Sequence, residues 1–135
     1  MDEKCFSVNG FKAAAVNAGL KKGDESDLAL IFSEMPAAAA GVFTTNQVKA
    51  APVLLTMQHI AGGKARAIVA NAGNANACTG DRGLKDAGRT TAAVAEAVGV
   101  DPEAVLVAST GVIGAPLPVD GILTALPGLA GALSP

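Results

Sequence analysis

The chain has 135 residues and a mass of 13.2 kDa, with 50% hydrophobic and 16% charged residues. That leaves room for one domain at most, allows a core of useful size and excludes a solvating disordered tail. A net charge of −2 and a pI near 5.2 give no electrostatic reason to bind DNA, RNA or an acidic lipid surface.

The start, MDEKCFSVNG, has two acids before its first lysine and no apolar stretch, so it does not read as a secretory signal. No apolar run approaches the ~18 residues of a membrane span. Cys5 and Cys78 lack any CxxC or Cys/His spacing and read as free thiols in a reducing cytoplasm. Residues 5–16 read as strand and turn, and 17–22 as a turn region with glycines at 19 and 23. The acids Asp24, Glu25 and Asp27, with Lys21 and Lys22, read as a solvated loop. Strands are expected at 28–33 and 39–44, with Pro36 as punctuation between them. Residues 48–60 fit a helix, Pro52 being tolerable only in its first turn, and Gly62–Gly63 end it.

Residues 65–70 (ARAIVA) are the next strand, followed by an Asn/Gly-rich loop at 71–80. Leu84, Ala87, Thr91, Val94, Ala95 and Val98 recur at helical spacing, so 81–98 is the clearest helix, with Gly99 at its stop. A strand at 104–108, a loop at 109–114 and a short helix at 119–126 stopped by Pro127 complete the chain. The second half therefore repeats strand, Gly-rich loop, helix, which is an α/β pattern with ligand loops at strand ends. Two compositional features stand out. Alanine supplies 29 residues, and there is no Trp or Tyr. Residues 104–135 carry one charge, Asp120, and are expected to pack against something beyond the chain.

The first stretch that could carry chemistry is STGVIG at 109–114. A small residue and a glycine at a strand end bring backbone N–H groups to a ligand, and a threonine hydroxyl adds a donor, as an oxyanion hole requires. The alternative is a turn whose Ser and Thr satisfy free backbone groups. The second stretch holds Asn71, Asn74 and Asn76, either a self-bonded loop or a polar wall around a small substrate. It lacks the spacings of a dinucleotide site or a P-loop. Thr79 is expected to cap the following helix. His59, the single histidine, suits a surface or capping role, and neither a metal site nor a Ser–His–Asp set can be built around it.

Taken together, NAGNANACTGD at 71–81 and VLVASTGVIG at 105–114 resemble the bifunctional ornithine acetyltransferase / glutamate N-acetyltransferase family. GF at 10–11, AGLKKG at 18–23, DLALI at 27–31 and AAGVFTTNQVKAAPV at 39–53 agree in the same order, so the resemblance runs from about Gly10 to Leu126. It implies an α/β fold, a layered α/β sandwich of the N-terminal-nucleophile type, incomplete in this chain. The chain (1–135) would be a single partial domain, the N-terminal portion of the first (alpha) subunit of a self-cleaving precursor. The nucleophile would be the N-terminal threonine of the second (beta) subunit. It would take acetyl from N-acetylornithine and pass it to glutamate, a recycling step in arginine biosynthesis. Acetyl-CoA would be a further donor in some members, no cofactor would be needed, and two subunits of each kind would form a heterotetramer. Thr110 and Gly111 would stabilise the oxyanion, Thr110 through its hydroxyl and Gly111 through its N–H.

The sequence also departs from that family's pattern. Its later strands, its Lys-Gly segment and its cleavage junction are not in this sequence, Gly121 follows Asp120 where a lysine is usual, and Pro127 interrupts the last helix. The expectation is a chain inactive and loosely packed by itself. Two other readings share the visible residues. One is a catalytically inactive interaction or assembly module. The other is an amide hydrolase of the same fold, which the ordered match of both loops disfavours.

Overall fold

The computed structural model describes residues 7–135; Cys5 and the start of the predicted 5–16 strand lie outside them. The elements are β1 (Phe11–Val16), β2 (Leu28–Ala38), α1 (Ala51–His59), β3 (Lys64–Asn71), α2 (Gly80–Val98), β4 (Val105–Ser109) and α3 (Val119–Gly131). Single 3-10 turns, Ile60–Gly62 and Pro102–Ala104, follow α1 and precede β4. The four strands form one sheet in chain order. The first three run antiparallel, and β4 lies parallel to β3 because the α2 crossover returns the chain to the starting end.

Strand alternation decides which face is covered. Leu30 pairs with Val69, and both are buried under the helices. Their neighbours Ile31 and Ile68 pair on the opposite face and stay 48% and 41% exposed. The helices meet the covered face through small residues: Ala87 and Ala95 of α2 are buried, and Gly121 of α3 lies so near the Ala18 carbonyl that a Cβ would sit 2.8 Å from its oxygen. Close approach of this kind compensates for the missing large aromatics. Gly99 ends α2 in the left-handed conformation at φ 70°, its N–H donating to the Ala95 carbonyl. Among the described residues no helix is long and apolar enough to cross a membrane.

Several expectations change. Residues 39–44 form no strand, and Pro36 does not separate two strands. Strand β2 is continuous, and its pairing with β3 jumps from Phe32↔Ala67 to Ala37↔Ala65, so Pro36 sits in a bulge where no ladder N–H is required. Arg66 holds that bulge: Nε donates to the Ser33 carbonyl and Nη2 to that of Glu34, with the guanidinium 5.2 Å from the Phe32 ring centre. Helix α3 does not stop at Pro127 but runs to Gly131. An interior proline costs about 3 kcal/mol, and burying Leu126 and Leu129 on either side offsets it. The uncharged stretch 104–135 needs no outside partner for most of its apolar mass. Val105, Val107, Leu117, Val119, Ile122, Leu126 and Leu129 are all buried within the chain's own core.

Helix α1 also covers the free edge of β4. The Thr56 hydroxyl donates to the Val107 carbonyl (2.7 Å) and accepts from the Val107 N–H (3.0 Å), as a neighbouring strand would. His59 Nδ1 lies 2.7 Å from the Val105 carbonyl two residues back, so the single histidine serves the same edge. Thr56→Val would leave both backbone groups of Val107 without a partner. A loss of about 1–3 kcal/mol of unfolding free energy is expected in denaturant titration, with faster amide exchange at Val107. An unchanged midpoint would show that the edge does not depend on this hydroxyl.

Candidate active site

Because β3 and β4 are parallel, the loops that follow them leave the same end of the sheet. They stay paired beyond it. Thr110 N–H donates to the Asn71 carbonyl (3.0 Å) and Val112 N–H to that of Gly73 (3.3 Å). In return, Ala75 N–H donates to Val112 (2.9 Å) and Gly114 N–H to Ala77 (2.8 Å). The spacing is set by glycine at Gly111, whose φ is +134°. A Cβ there would overlap the Gly73 carbonyl carbon and lie 2.6 Å from its oxygen.

The three asparagines are the side-chain half of this join. Asn71 Oδ1 accepts the Ser109 hydroxyl at 2.6 Å, and Asn71 Nδ2 donates to the Asn74 carbonyl. Asn74 Nδ2 donates to the carbonyls of Ala115 and Pro116, closing the far end of the second loop, and its Oδ1 accepts the Asn76 N–H. Asn76 is fully buried at φ 47°, a conformation asparagine tolerates. Its Nδ2 donates to Gly83 in α2, and its carbonyl accepts the first N–H of α1. Thr79 occupies the N-cap position of α2 but does not cap it. Its hydroxyl donates to Asn76 Oδ1 instead, in a space where Gly83 leaves no room for a Cβ. These asparagines are therefore fasteners between loops, and the polar-wall alternative has no support in their bonding.

Among the groups the fasteners leave unused are the Thr110 hydroxyl and the Gly111 N–H. Both residues are exposed, and among the described residues neither the Thr110 hydroxyl nor the Gly111 N–H meets a protein acceptor. Thr110 lines a 240 Å³ cavity with Ala15, Ala29, Ala70 and Ala72, beside Ser26 and Asp27. A free hydroxyl lining a small, mostly apolar hollow, with a free N–H on the next residue, is a donor pair that can hold a developing negative oxygen. A 270 Å³ hollow near Ala37–Ala40 is lined by apolar side chains, Ser33 and Arg66 and lies away from these donors. His59 is not at the cavity, and no cluster of three metal-ligating side chains occurs among the described residues.

Asp27 is the residue that sequence reasoning missed. It is not part of a solvated loop but 3% exposed. Oδ1 accepts the Ala18 N–H (2.7 Å), and Oδ2 accepts those of Leu20 (2.6 Å) and Lys21 (2.9 Å). Burial pushes the carboxyl up, but the N–H groups of Ala18, Lys21 and Leu20 together outweigh it and hold it below its ordinary value of 3.8. The available signal was local: an acid directly after a Gly-containing turn and directly before LALI.

The sequence model of the ArgJ family matches residues 12–134. The arginine biosynthesis bifunctional protein ArgJ of Geobacter sulfurreducens is 56% identical over 128 residues, which are 95% of this chain and 33% of that protein. That of Syntrophotalea carbinolica is 51% identical over 127 residues, 94% of this chain and 32% of that protein. Among solved structures, the ornithine acetyltransferase of Mycobacterium tuberculosis complexed with ornithine superposes with a TM-score of 0.90 at 47% identity, covering 93% of this chain and 68% of that one. The ArgJ of Bacillus halodurans gives 0.85 at 41%, covering 92% and 68%. The chain thus spans about a third of the length of the curated relatives it matches.

Two outcomes follow from this geometry. Gly111→Ala should cost about 1–3 kcal/mol and speed exchange of the Val112 and Ala75 amides, since it drives a Cβ into the Gly73 peptide. Gly114→Ala, at φ +83° with nothing within 4 Å, should cost about 1–2 kcal/mol and leave those amides protected. Equal exchange in the two variants would remove the steric explanation. Second, the lowered folded-state pKa of Asp27 means the unfolded chain binds its proton first as pH falls. Its contribution is complete above 3.8 and is lost as pH drops through the folded value. The urea midpoint should therefore fall more steeply below pH 4 in the parent than in Asp27→Asn, and parallel curves would count against the three-donor clamp.

Proposed function

Because the chain belongs to the ArgJ family, we propose that it supplies the oxyanion-stabilising part of an acetyltransferase that moves acetyl from N-acetylornithine to glutamate. The observation that carries this reading is the pair of unengaged donors, the Thr110 hydroxyl and the Gly111 N–H, directly after β4 where the two loops pair. The nucleophile is a threonine outside this chain, at the N-terminus of a second subunit. Its α-amine, with an ordinary pKa of about 8, serves as base.

In this reading the threonine hydroxyl adds to the acetyl carbonyl carbon of N-acetylornithine and passes its proton to the α-amine. The carbonyl oxygen becomes an oxyanion between the Thr110 hydroxyl and the Gly111 N–H. Collapse breaks the C–N bond, the α-amine returns the proton to the departing ornithine nitrogen, and acetyl remains as a threonine ester. The glutamate amine attacks that ester through a second oxyanion in the same place. N-acetylglutamate leaves and the hydroxyl is restored. Neither half needs a cofactor, and acetyl-CoA is a chemically equivalent donor for the first. The setting we assign is the cytoplasm, in a heterotetramer of two subunits of each kind.

The test is a chimera in which this chain replaces the matching third of the Geobacter sulfurreducens relative, assayed for ornithine release and N-acetylglutamate formation. Thr110→Ala should lower kcat by about 10²–10³ with a smaller change in KM, as loss of one oxyanion donor does. An active chimera whose kcat survives that substitution overturns the assignment.

A further inference from the structure

We infer that Asp27 is a positioning residue for the Gly111 N–H, acting through a stack of three backbone segments; this rests on the acetyl-transfer reading above. The first segment is the turn between β1 and β2, gathered around the Asp27 carboxylate by the N–H groups of Ala18, Leu20 and Lys21. Asp27 is itself tied down by its main chain. Its N–H donates to the Val16 carbonyl (3.0 Å), and its carbonyl accepts the Ala72 N–H (2.8 Å). The carboxylate therefore fixes the turn relative to β1 and to the loop after β3 at once.

The second segment is Gly73, next to Ala72. Its φ is +101°, and a Cβ there would sit 2.7 Å from the Leu20 carbonyl oxygen, so the turn rests directly on the glycine peptide. The third segment is Gly111, whose missing Cβ is filled by the other side of the same Gly73 peptide. Gly73 also accepts the Val112 N–H, which fixes the residue after Gly111. At the first contact the Lys21 Cγ lies beside the Leu20 carbonyl, 2.9 Å from where the Gly73 Cβ would sit, and at the second the nearest atoms are all backbone. A shift of Leu20 is passed to Gly73 and from there to Gly111, because close-packed backbone has nowhere else to go. Asp27 borders the Thr110 cavity, but its buried carboxylate is taken up by three protein donors, so its role is to hold the turn and not to meet the reacting atoms.

Two measurements separate this inference from the reading it rests on. In the chain itself, which needs no catalysis, Asp27→Asn should speed exchange of the Val112 amide by about tenfold or more while Val69 in the core stays protected. Faster exchange confined to Ala18, Leu20 and Lys21 overturns the relay whatever the protein does. In the chimera, kcat is counted per active site from the acetyl-enzyme burst, so that material lost to misfolding drops out. Asp27→Asn should lower that kcat by about 10–100-fold, with KM for N-acetylornithine within about threefold, the pattern of a displaced donor. A merely structural aspartate would reduce the number of active sites and leave kcat per site unchanged, and that result sinks the proposal. Should Asp27→Asn not fold, Gly73→Ala strikes the same stack with the carboxylate intact and should give the same split between kcat and KM. Where Asp27→Asn does fold, the double variant should be no worse than the poorer single one. If Thr110→Ala also leaves kcat unchanged, the oxyanion assignment has failed, and the exchange data still decide whether Asp27 controls the loop.

Discussion

The loops at the C-terminal ends of β3 and β4 depend on one steric constraint, the contact of Gly73 with Gly111. Two peptides lie closer there than any residue with a Cβ permits. That contact lets the parallel pairing of β3 and β4 continue past the strands as alternating loop hydrogen bonds. Loops of this composition, rich in Gly, Ala and Asn, ordinarily wander. Here their carbonyls and amides are used against each other, and the asparagine side chains take up what remains. The result is an irregular segment with the hydrogen-bond economy of a sheet.

The same economy explains why so plain a composition folds. With no Trp or Tyr, the core cannot rely on large interlocking rings. It relies on close approach at small residues instead: the side chains of Asn76 and Thr79 against Gly83, the Ala18 carbonyl against Gly121, and Ala87 and Ala95 beneath the sheet. The opposite face carries a row of four alanines, Ala15, Ala29, Ala70 and Ala108, in register across all four strands. Small residues on a flat register leave the sheet surface smooth near Thr110, and three of the four line its cavity.

Much of this was legible from local patterns. The alternation in ARAIVA, the helical period of α2 and the α/β repeat of the second half are set by neighbours in sequence, and they fall where predicted. The features that were not legible depend on residues far away. Pro36 looks like punctuation until Arg66, thirty positions later, supplies the guanidinium that holds the bulge. Pro127 looks like a helix end until the burial of Leu129 is known. Asp27 looks like one of several loop acids although its partners are close in sequence, because only its place directly before LALI sets it apart from Asp24 and Glu25. Thr110 and Gly111 became specific through the family resemblance of their string. The strand-end position alone favoured a self-satisfied turn, a reading to which the Thr110 hydroxyl lends nothing, since it meets no acceptor among the described residues.

Charge placement at this end of the sheet follows a consistent rule. A carboxylate near a site meant for a developing anion is normally harmful, since like charges raise each other's energy steeply where water is scarce. Asp27 borders the Thr110 cavity, yet both its oxygens are committed to N–H dipoles of the β1–β2 turn. Those dipoles offset part of its charge. They also draw on the ionic strength of the hydrogen bonds to stiffen the turn. The other fasteners around Thr110 and Gly111 are neutral amides and hydroxyls, which fix geometry without adding charge. For donors that must be in place before charge appears, rigidity supplied by neutral groups and one internally compensated carboxylate is the arrangement electrostatics favours.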